Sequence, residues 1–127
     1  MGNKSDMLAS IGLIKKSISA NVRNFSHVKF RQAMETQPAD EVTRAVRHLV
    51  SSVIVPNLDV VIINARTAKA KYMEKHNLSF SDKNNIFDRI VASASELKVA
   101  FDGVFSKNIE MLLVRLQGLE TLVNDMY

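Results

Sequence analysis

The sequence predicts an all-α fold, an antiparallel bundle of four principal helices, on three observations. Apolar residues recur every three or four positions through most of the chain, the spacing that lines up one face of a helix. Only 4 Gly and 2 Pro occur in 127 residues, too few to supply the turns of a many-stranded sheet. With 46% apolar residues, a chain of this length can bury a core of its own. A single domain over residues 1–127 is expected, because no internal repeat, low-complexity tract or linker divides it.

The first helix runs from Asn3 to about Phe25, with Leu8, Ile11, Ile14, Ile18, Val22 and Phe25 in one stripe and Lys4, Lys15, Lys16, Ser17 and Arg23 on the other faces. A short extra helix follows from Ser26 to about Thr36, with Ser26 as its cap and Phe30, Ala33 and Met34 turned inward. The next start is at Pro38, a residue suited to the first helical position, with Asp40 and Glu41 placed to complement the helix dipole. Val42, Ala45, Val46, Leu49 and Val53 carry the stripe to Pro56. Leu58, Val61, Ile62, Ala65, Ala68, Tyr72 and His76 carry it beyond.

Pro56 lacks the N–H that would close the ladder and disfavours helical geometry at Val55, so it either kinks one long helix or separates two. A β-hairpin is the rival here, since Val53-Ile54-Val55 and Val60-Val61-Ile62-Ile63 are β-branched runs. The helical period continues through both flanks and favours helix. Ser79, Ser81 and Asp82 offer caps for a further helix with Ile86, Ile90, Ala94, Leu97, Phe101 and Val104 on one face. Asp102-Gly103 ends it, with Gly103 expected in the left-handed conformation. Ser106 is expected to cap the last helix, where Leu112, Leu116, Leu119, Val123 and Met126 step by fours and threes like a coiled-coil seam.

The net charge of +4 is uneven: residues 1–31 hold Lys4, Lys15, Lys16, Arg23, Lys29 and Arg31 against Asp6 alone, leaving the rest near neutrality. The chain has no cysteine, which excludes disulfides and Cys-based zinc sites and accords with a cytoplasmic setting. No uninterrupted apolar run reaches the roughly 18–20 residues of a membrane span, because Pro56, Asn57 and Asp59 break the densest one. The apolar patch Ile11–Ile14 is too short for a signal-peptide core. Met1-Gly2 lacks the Ser or Thr at the sixth position that myristoylation wants, having Asp6 there.

No catalytic, metal or cofactor motif stands out. His27, His48 and His76 fall on separate segments without metal-ligand spacing. Asp59, Asp82, Asp88, Glu96 and Asp102 are scattered among cations on helix surfaces. Four glycines build neither a phosphate cradle nor a nucleophile elbow. Two binding readings remain. The leading one is a non-enzymatic bundle that contacts a protein partner or a second copy of itself, with Leu112, Leu116, Leu119 and Val123 as the interface. The alternative is sequence-independent nucleic-acid binding through Lys15, Lys16, Arg23, Lys29 and Arg31, where Phe25 and Phe30 interleave with the cations. The competing reading of the same residues is that those aromatics are core and the cations ordinary solvated charge.

The segment Leu78-Ser79-Phe80-Ser81-Asp82-Lys83-Asn84-Asn85-Ile86-Phe87, following a helical hairpin, resembles the middle of HEPN-type helical domains over about a third of the chain. Some members of that family cleave RNA, using an Arg followed by His after four to six intervening residues. Arg23 to His27 and Arg44 to His48 have three, and the last helix has no such pair. The resemblance implies at most a degenerate, non-catalytic version of that domain.

Overall fold

The computed structural model describes residues 2–25, 41–77, 85–104 and 108–126. Four long helices form an all-α bundle: α1 (Asn3–Ala20), α2 (Glu41–His76), α3 (Ile86–Asp102) and α4 (Ile109–Asn124). Among the described residues there is no strand, so the hairpin rival around Pro56 falls. The expected short helix Ser26–Thr36 and the start at Pro38 lie outside the described residues.

Ion pairs give the helix directions. Lys98 meets Asp59 and Lys69 meets Asp88 at 2.9 Å, so moving up α2 means moving down α3. Likewise Lys4 Nζ donates to the Asn124 carbonyl oxygen at 2.7 Å, while Lys15 Nζ reaches Glu120 Oε1 at 3.1 Å. α1 is therefore antiparallel to α4, and the four helices close a ring around a single apolar cluster. Such partly exposed pairs fix register more than they stabilise, contributing about 0–1 kcal/mol each; the apolar cluster supplies the driving force.

The core matches the predicted stripes with a few shifts. In α1, Met7, Ile11, Ile14 and Ile18 are buried and Leu8 only partly so. The helix stops at Asn21, whose side chain donates back to the Ser17 carbonyl oxygen at 2.8 Å. The turn breaks the phase. Val22 is consequently 53% exposed, contrary to expectation, while Phe25 returns to the core. In α3 the predicted Ile90, Ala94, Leu97 and Phe101 are buried and joined by Phe87 and Ala100.

Pro56 does not divide α2 into two helices. The helix instead passes through a π-helical stretch, Val50–Ile54, immediately before the proline. A π turn closes over five residues and so loosens the ladder where the proline ring would collide with the carbonyl four residues back. The buried residues Val46, Val50, Ile54 and Leu58 follow successive steps of four. In a straight α-helix those three steps would drift by about 120° around the axis; the wider turn keeps them on the core. α2 ends at Asn77 with φ 48° and ψ 51°, a left-handed geometry that asparagine tolerates better than most residues.

Two helix ends differ from expectation in the residue that makes them. Asn85, not Ser79, Ser81 or Asp82, caps α3 by accepting from the Asp88 N–H at 2.9 Å. Asn108, not Ser106, caps α4 by accepting from the Glu110 N–H at 2.9 Å. Gly103 does follow α3, yet with φ −99° it is not left-handed, so any residue satisfies that backbone. By length and composition α2 is long and apolar enough to cross a bilayer, which the reading from unbroken apolar runs did not anticipate. One face of it, including Ile54, Leu58, Val61 and Ala65, is committed to the bundle core.

Candidate functional site

The expected interface on α4 is the inside of the molecule. Leu112 is 1% exposed, and Leu116, Leu119 and Val123 are 0% exposed. Their seam is satisfied by the other three helices, so no partner reaches those residues while the bundle is folded. That reading had the spacing and not the phase: a seam of two heptads closes equally well inside one chain.

One residue earlier on α4 lies a second row with the same steps of four, three and four: Met111, Arg115, Gly118 and Leu122. Helix geometry puts it about 100° round from the core row. α3 repeats the arrangement, with Arg89, Ser93, Glu96 and Ala100 each one residue before the core row Ile90, Ala94, Leu97 and Phe101. Residues of these two rows, with Leu97 at the floor and Val99 at the rim, line an open groove of about 860 Å³ between α3 and α4. Ser93, Ala100 and Gly118 are small, so the helices present a channel in place of an interdigitated seam. A Cβ added at Gly118 would meet nothing within 4 Å.

The rim is apolar and charged. Val99 is 75% exposed; Met111 and Val114, 51% and 71% exposed, lie elsewhere on α4, outside the groove's lining. Arg89, Glu96 and Arg115 are also exposed, and among the described residues none of the three has an ion-pair partner. An exposed apolar residue beside charges without described partners makes this groove the candidate site. Leu13, Val60 and Ile63 are exposed on α1 and α2 without a comparable groove among those described.

The five cations proposed for nucleic acid do not gather into one face where they are described. Lys15 is turned toward α4, where it donates to Gln117 Oε1 at 3.3 Å and pairs with Glu120. Lys16, the next residue, points to solvent about 100° away. Arg23 is exposed beyond the turn at Asn21, and Lys29 and Arg31 lie outside the described residues. A different basic patch forms at the opposite end, where Lys4, Lys71, Lys75 and His76 line a groove of about 400 Å³. Lys4 there is bound to the carbonyl oxygens of Asn124 and Met126, and Lys75 and His76 occupy the last turn of α2, where positive charge offsets the helix dipole. That patch is explained by helix ends.

Nothing described assembles catalytic geometry. His48 contacts Ser52 Oγ at 3.4–3.5 Å through either ring nitrogen, a loose contact on an exposed helical turn with no acid to orient the ring. His76 stacks on Tyr72 with ring centroids 4.3 Å apart, and His27 lies outside the described residues, as does most of the HEPN-like segment. Among the described residues no three of His, Asp and Glu come together to hold a metal ion. The π-helical stretch borders a further groove of about 520 Å³ beside Phe101; π turns often attend functional sites, but here Pro56 accounts for it. No protein-family model, no curated protein and no solved structure is significantly similar to this chain.

Proposed function

We propose that this chain is a non-enzymatic binding protein that docks another protein in the groove between α3 and α4. One observation carries the reading: the small residues Ser93, Ala100 and Gly118 on the facing rows of α3 and α4 leave a channel whose rim holds Val99, three-quarters exposed, beside the charges of Arg89, Glu96 and Arg115, unpaired among the described residues. Such a surface costs solubility and is kept in solution by being covered. The small residues accept the knobs of an incoming helix, the apolar rim supplies the contact area, and the charges select its register. The function is thus moved from the seam of α4 to its neighbouring row.

A photocrosslinking amino acid placed at Val99, with one at Ile63 as the control, tests this. Ile63 is 61% exposed and lines none of the described grooves. A discrete adduct from position 99 and none from position 63 is expected. No adduct from 99, or the same adducts from both, would contradict the proposal.

A further inference from the structure

Resting on the reading of that groove as a docking surface, we infer that its occupant is a second copy of this chain, with α3 packed antiparallel to α3 of the other molecule. A two-fold contact brings a face against itself read backwards, so each residue meets the one at the mirror position. The outer face of α3 meets that demand about a midpoint between Ala92 and Ser93. At the centre, Ala92 faces Ser93, both small, which permits close approach of the two backbones. One turn out, Arg89 faces Glu96 of the second copy, and Glu96 faces its Arg89. A further turn out, Val99 is 75% exposed and lies on the flank of that contact.

The charges have no other use within the chain. Arg89 and Glu96 are seven residues apart, about 10.5 Å along one helix, and make no ion pair with any described residue. Arg115, lining the same groove from α4, adds a cation on the side of Glu96. The outer face of α2 offers no such pattern: Ile63 is exposed, but Asp59, the one acid between Glu41 and Glu74, is engaged by Lys98.

Sedimentation equilibrium on the purified full chain, over a wide concentration range, decides it. Wild type should pass from 14.2 kDa to twice that mass as concentration rises. R89E and E96R each set like charges opposite one another at two symmetric places and should raise the dissociation constant about tenfold. The double reversal R89E/E96R restores opposite charges and should return it to within about threefold of wild type. Both substitutions fall on exposed positions, and circular dichroism melts check that the three variants fold. A chain that stays monomeric throughout, or a double reversal no better than the singles, overturns the inference. A monomer whose Val99 crosslinker captures a different protein loses self-pairing and keeps the groove; a monomer whose crosslinker captures nothing loses both.

Discussion

Two rows of α4 have identical spacing and opposite fates. Leu112, Leu116, Leu119 and Val123 are buried at 0–1% exposure; of Met111, Arg115, Gly118 and Leu122, one residue earlier, the last three border an open groove and Met111 is exposed. Spacing alone does not tell an inward seam from an outward one. Phase does, and phase is set by which row carries the larger apolar volume, because the bundle collapses onto that row. The second row is left outside with its small residues and its charges.

The sharpest way to break this contrast is to truncate one buried and one exposed apolar residue of α4. Leu116→Ala should cost about 3 kcal/mol by urea unfolding, since it opens a cavity in a fully buried site. Val114→Ala on the exposed side should stay within about 0.5 kcal/mol. Similar costs at both positions would mean that the rows are assigned to the wrong sides. A smaller effect belongs to Asn77→Ala, which places a Cβ-bearing residue without the asparagine side chain at φ 48° and should cost about 1 kcal/mol, while Asn77→Gly should not. Asn85→Ala should also cost about 1 kcal/mol. It should exceed Asn108→Ala, because Asn85 both caps α3 and donates to Asp88 Oδ2, the carboxylate that takes Lys69. The least is expected from Lys15→Ala, below about 0.5 kcal/mol in thermal or urea unfolding, because the Lys15–Glu120 pair is partly solvated.

Much of the fold was legible because helix stripes are written in residue size. Ile11, Ile14, Ile18, Leu58, Ala65, Ala94 and Leu97 needed no structure to be placed inside. The caps were not legible, because Ser79, Ser81, Asp82 and Asn85 are all competent and only the packing of Phe87 against the core selects among them. Pro56 announced a missing hydrogen bond but not its remedy, since both a kink and a π turn relieve the same collision. The groove between α3 and α4 left almost no trace: Ser93, Ala100 and Gly118 are silent in an apolar pattern. Arg89 and Glu96 look like any solvated pair until their lack of partners is seen. The basic N-terminal quarter drew attention by its charge, yet Lys15 is spent on α4, a long-range contact that no local pattern reports.

Because the chain contains no cysteine, a single introduced thiol reports on one position at a time. The most direct measurement is the maleimide labelling rate of Val99→Cys and Ile63→Cys, each followed as a function of added cysteine-free chain. The account predicts slowing at position 99 as the groove is covered and no change at position 63. Unchanged labelling at 99, or equal slowing at both, would contradict it.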